Sequence, residues 1–188
     1  MKIVEITNVL KSLGWSISRD EVGDRLASYR LSDRTADIIY GLKKLPDKQQ
    51  LWVMRSTSTD AFSSACAKVD PGYGMSAPLV TPWNNPDIRA SSILEEHVRL
   101  ASEEAILWAR EQDLEKALRE HADLPTGAPG ARPIWHLAAL ALLGDIAKLK
   151  SYQASFEGGD RLGFVPYVTK GYIDRAVSLA EELENNRA

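Results

Sequence analysis

The chain is 188 residues long, 44% hydrophobic, with a formal net charge of −3 and one cysteine. Its length supplies one substantial domain or two small ones, and its apolar content excludes a globally disordered chain. A single cysteine excludes an intramolecular disulfide and fits a reducing compartment. Residues 1–88 carry 11 basic and 10 acidic side chains and residues 89–188 carry 12 and 16, so neither half has the basic excess that nucleic-acid binding by counterion release needs.

The opening stretch, MKIVEITNVLKSLGW, is interrupted by Glu5 and Lys11 and does not read as a signal peptide. The longest apolar run, PIWHLAALALLG over 133–144, is too short to span a bilayer. The chain is expected to be cytoplasmic, with neither a membrane nor a nucleic acid as partner.

Val4, Ile6, Val9, Leu10 and Leu13 recur at helical spacing and Gly14 follows them, which predicts a short amphipathic helix with a glycine stop. Residues 25–57 change period. RLASYRLS, TADIIYGLKKL and QQLWVMRSTS predict three strands in an antiparallel meander, the last two joined by the turn-forming LPDKQ. Leu51, Val53 and Arg55 face one way and Trp52 and Met54 the other.

Ser58-Thr59-Asp60 then caps a helix whose stripe is Phe62, Ala65, Cys66 and Val69, stopped by DPGYG. Residues 70–90 hold four of the nine prolines and read as a linker, with one short edge strand over 77–81. From Ser91 the chain is helical. Leu94, Val98, Ala101, Ala105 and Trp108 form one stripe, and Glu95, Glu96, Glu103, Glu104 and Glu111 cover much of the rest. Asp113 caps a second helix running through His121, and LPTGAPGARP (124–133) breaks the pattern. The last helix starts near Thr169 on the stripe Tyr172, Ile173, Ala176, Val177, Ala180 and Leu183, and the tail ENNRA frays.

Between these lies PIWHLAALALLGD-IAKLKSYQASF, a helix, a Gly144-Asp145 turn and a second helix. Its proline, its His-x-Ala-Ala run and its glycine resemble the helical hairpin of ankyrin repeats. Four residues, Leu140–Leu143, separate Ala139 from Gly144 where the repeat usually has two, and there is no second copy. The resemblance implies a packed αα-hairpin rather than an ankyrin protein.

FEGGDRLGFVPY (156–167) is the most suggestive stretch. Gly158 and Gly163 have the glycine spacing of a phosphate-binding loop, but Phe164 and Val165 stand where that loop needs Lys and Ser or Thr. The structural reading is a helix cap followed by a packed turn held by Asp160 and Arg161. The functional reading is a rigid surface loop that presents Asp160, Arg161, Phe164 and Tyr167 to a partner or ligand. Tyr73 and Trp83, in the proline-rich linker, are two further interaction candidates. Trp83 either anchors the linker or marks a binding patch.

Cys66 lies on an apolar stripe, where a thiol behaves as a small hydrophobe. His97, His121 and His136 form no metal-ligand spacing, and no catalytic or cofactor motif is present. The neighbouring glutamates of the helix from Ser91 diverge by about 100° and read as a solvated face that could meet a basic partner.

The expected fold is α+β: an N-terminal helix–three-stranded sheet–helix unit (1–90) packed against a mostly helical half of about five helices (91–188), as one continuous structure. The order of the N-terminal unit is similar, at the level of architecture, to small bacterial chaperone-like and immunity-type proteins. The leading functional expectation is a cytoplasmic protein-binding module, an inhibitor or immunity-type partner of another protein, without cofactor or metal. The alternatives are an enzyme or small-ligand binder with a site where the halves meet, and a homo-oligomer with an interface of its own.

Overall fold

The computed structural model describes residues 1–19, 23–73, 77–85 and 87–186. In chain order its elements are α1 (Ile3–Ser12), β1 (Ser16–Arg19), β2 (Arg25–Arg30), β3 (Thr35–Lys44), β4 (Gln49–Ser58), α2 (Asp60–Val69), β5 (Ile88–Ala90), α3 (Glu95–Glu111), α4 (Leu114–Ala122), α5 (Arg132–Leu143), α6 (Ile146–Glu157) and α7 (Lys170–Asn185). The architecture is α+β, with an antiparallel sheet ordered β1-β2-β3-β4-β5. Among the described residues no helix is long and apolar enough to cross a membrane. The expected fraying of the tail concerns in part residues 187–188, which lie outside the described residues.

Contacts divide the chain into two compact units, Met1–Thr59 with Pro78–Gln112, and Asp60–Ala77 with Asp113–Ala188. A single cut near residue 90 does not describe this division. The sheet takes α1 and α3, and α2 joins α4–α7.

In the first unit one sheet face carries Ala27, Ala36, Ile38, Tyr40, Leu51 and Val53. Ile6 and Leu10 of α1 close over them with Val98, Ala101, Ala105 and Ala109 of α3. The three alanines let the α3 backbone come close to the strands, and α2, with Phe62 on its stripe, has no such flat face. Trp15 Nε1 donates to Ser102 Oγ at 2.8 Å inside this core. Arg34, in the β2–β3 turn, donates through Nη1 to the carbonyls of Ala109 and Gln112 at 2.9 and 2.7 Å. It thereby sets a cation at the negative end of α3.

Alternation predicts β2, β3 and β4, and all three are present. The sheet has five strands rather than three because β1 pairs along β2 and β5 along β4. Both are edges of four and three residues, too short to show a period. The edge strand expected over 77–81 is a single bridge, Thr57 to Val80, and β5 takes the edge.

In the second unit α5 is central. Ile134, Leu137, Ala138, Ala139, Leu140 and Ala141 are all buried, as expected of a helix that is apolar all round. The other four helices of this unit pack against it. The α5–α6 hairpin forms as its residues predict. Gly144 ends α5 in the left-handed conformation at φ 76°, and Asp145 caps α6 by accepting from Lys148 N at 3.1 Å.

Candidate functional site

The loop after α6 turns a corner on its own hydrogen bonds. Gly159 and Gly163 take φ of 85° and 76°, and Leu162 takes 52°. Asp160 accepts from Leu162 N at 2.8 Å. Arg161 Nη2 donates to the carbonyls of Val165, Pro166 and Val168 at 3.0, 3.2 and 2.7 Å. These bonds tie both side chains to their own loop, which is the structural reading of this stretch, and both residues stay exposed. Phe164 is buried edge-on against Tyr152 and Phe156 and presents no surface. Tyr167 is exposed, with its hydroxyl donating to Gly130 O at 2.7 Å. Tyr73 OH accepts from Trp135 Nε1 at 3.1 Å.

Two buried groups could have carried chemistry. Cys66 is fully buried, and burial pushes its thiol up to about 12, which keeps it protonated and unreactive. His136 is fully buried too. Its Nδ1 lies 3.1 Å from His121 O, so Nδ1 carries the proton and donates. Nε2 then accepts from Tyr152 OH at 3.1 Å.

Burial lowers the His136 pKa, helped by Lys148 and His121 and opposed by the bond to His121 O and by Asp123. The folded chain therefore resists a proton that the unfolded chain accepts below about pH 6.5. Stability falls as pH drops from that value towards the folded pKa, by at most about 1.4 kcal/mol per pH unit. His136→Asn keeps a donor and an acceptor but does not titrate. Urea midpoints between pH 7.5 and 5.5 should fall more steeply for the parent than for this variant, and equal slopes would refute the assignment.

An open basin of about 580 Å³ in the second unit is lined by Arg119, Asp123, Asp145 and Lys148 among others. Its cations are engaged, Arg119 with Glu115 at 2.6 Å and Lys148 with Ala122 O at 3.1 Å. Among the described residues no group of three His, Cys, Asp or Glu side chains is placed to share a metal ion.

The exposed apolar side chains lie mainly in the first unit. Trp83 stands fully in solvent rather than anchoring the linker. Its loop is pinned by Asn85, which accepts from Arg55 N at 2.8 Å. On α3, Val98, Ala101, Ser102, Ala105 and Ala109 are buried. Leu94, expected on that stripe, is instead 49% exposed at the helix start, and Trp108 is half-buried.

At about 100° per residue, Leu100 and Leu107 project on the side opposite the buried stripe. They are 47% and 56% exposed. A shallow groove of about 430 Å³ runs beside them, lined by Glu103, Glu104, Ile106 and Arg110 as well. Glu96, Glu103, Glu104 and Glu111 are all exposed around the pair. Both leucines lie outside the predicted stripe, although their seven-residue spacing opposite the core positions is legible in the sequence.

Residues 2–181 match the model of a family described as "Family of unknown function (DUF6990)". No curated protein and no solved structure compared with the chain gives a significant match.

Proposed function

The chain belongs to this family of unknown function, and we propose that it is a cytoplasmic protein-binding module, an inhibitor or an immunity-type or chaperone-like partner of another protein. The observation that carries the reading is the leucine pair on the solvent side of α3. Single exposed leucines are ordinary on protein surfaces. Two of them one heptad apart, opposite the face the helix uses for its own core, form an unspent anchor row. Fully burying an exposed leucine side chain is worth about 1.5–3 kcal/mol, and since Leu100 and Leu107 are 47% and 56% exposed, covering what remains is worth about half of that for each. The acidic balance of residues 89–188 suits a protein that masks a basic surface.

The experiment is retention from native cell lysate on the tagged chain, washed with salt, against a Leu100→Ser/Leu107→Ser variant. The expected result is one stoichiometric protein held by the parent and lost by the variant, with the variant's circular dichroism and melting unchanged. Retention that ignores the leucines, or no retention by either, would defeat the reading.

A further inference from the structure

The reading above leaves the partner's chemistry open, and the charges around the leucine pair restrict it. Consider first a second copy of the chain. An antiparallel pairing of two α3 helices that sets Leu100 against Leu107 keeps each flank of the row against the same flank of the copy, so Glu103 meets Glu103 and Glu104 meets Glu104, while Glu96 comes level with Arg110. A parallel pairing crosses the flanks, so Glu103 meets Glu104 and Arg110 comes level with Glu111. In either direction each copy brings four exposed carboxylates and one exposed arginine to the seam, and the carboxylates left without a cation face one another, which is costly. The face therefore suits a cationic partner better than its own copy.

Resting on the protein-binding reading, we infer that this face receives a cationic amphipathic helix of the partner. Seven residues of helix rise about 10.5 Å, one heptad, so a facing helix meets both leucines with a single row of its own apolar side chains. The groove beside that row is lined by Glu103 and Glu104, with Ile106 and Arg110 along the same side, so carboxylates outnumber cations there. Lysines or arginines flanking the partner's apolar row reach these carboxylates and those of Glu96 and Glu111. The mode is helix-in-groove recognition, with leucines supplying affinity and glutamates supplying choice of partner.

The test uses two labelled peptides of about 14 residues, four helical turns. Both carry leucines at heptad spacing, one with lysines at the remaining positions and one with glutamates. Binding to the full chain is read by fluorescence anisotropy. The lysine peptide is expected to bind one to one and about tenfold or more tightly than the glutamate peptide, weakening as salt screens the contact. Glu103→Lys/Glu104→Lys should weaken it by about tenfold or more, and Leu100→Ser/Leu107→Ser should do the same. Glu115→Lys/Glu120→Lys makes the same charge change on α4 and should leave binding unaltered.

The inference is overturned if the lysine peptide does not bind, if both peptides bind alike, or if the α4 variant loses as much as the α3 variant. It is also overturned if the chain sediments as a dimer that Leu107→Ser dissociates. A failed peptide with leucine-dependent retention from lysate sinks the cationic helix and leaves the protein-binding reading standing. Failure of both removes both.

Discussion

Gly41→Ala is expected to destabilise the chain by about 1–3 kcal/mol, the range of an overpacked core, at a strand position where alanine ordinarily gains over glycine. Gly41 lies in β3 directly across from Trp52 of β4. A β-carbon there would overlap the indole at Cζ2, Cε2 and Nε1. Gly41 is not among the positive-φ glycines, so the cost is steric rather than conformational. The neighbour is a rigid ring and cannot give way as the end of a flexible chain would. The indole must leave its seat over the strand, and the sheet loses that cross-strand packing. A double-mutant cycle in urea isolates the overlap. On a Trp52→Leu background, Gly41→Ala should cost far less than on the parent. Strict additivity of the two changes would show that the ring does not occupy the space above Gly41.

The elements that were legible are those whose burial repeats along the sequence. Phe62, Ala65, Cys66 and Val69 announce α2, and Ile173, Ala176, Val177 and Ala180 announce α7, because each lies on a line that the helical period draws. Pro133, Gly144 and Asp145 bound the α5–α6 hairpin through backbone chemistry that belongs to those residue types. The edges β1 and β5 were not legible, because backbone pairing to β2 and β4 holds them and side-chain rhythm does not. The exchange of α2 and α3 between units was hidden for another reason. A stripe says that a helix is buried but does not name the surface that buries it. Only the flatness of the alanines at 101, 105 and 109 favours a sheet, and that is a weak cue.

The candidate sites show the same limit. Asp160 and Arg161 are residue types that serve binding loops, but their role depends on where the carbonyls of Val165, Pro166 and Val168 point, which no spacing rule encodes. Trp83 has no periodic context at all, and its full exposure follows from the path of a proline-rich loop. Leu100 and Leu107 were within reach, since exposure opposite a recognised stripe is a matter of counting.

Phe62→Ala is expected to have the largest effect of any single truncation in α2, a loss of about 3–5 kcal/mol. The Phe62 ring is fully buried. It stacks on His121 of α4 with centroids 5.3 Å apart and planes 19° apart. His121 in turn meets Trp135 of α5 edge-on at 5.5 Å, so a run of three rings starting at Phe62 joins three helices of the second unit. Phe62→Leu keeps most of the volume and should cost less than about 1.5 kcal/mol. Cys66 gives a readout confined to this helix, because it is the single thiol of the chain, is fully buried and follows Phe62 by one turn. A thiol reagent can reach it only when α2 opens. At a tenfold change in population for each 1.4 kcal/mol, a loss of 3 kcal/mol or more raises the labelling rate on the order of 100-fold. The leucine variant should raise it by about tenfold at most on the same scale. Labelling that stays at the parent rate in Phe62→Ala, while global stability falls, would mean that α2 is held by Val69 and Ala65 without the ring. The stack from Phe62 through His121 to Trp135 would then be a consequence of the packing rather than its cause.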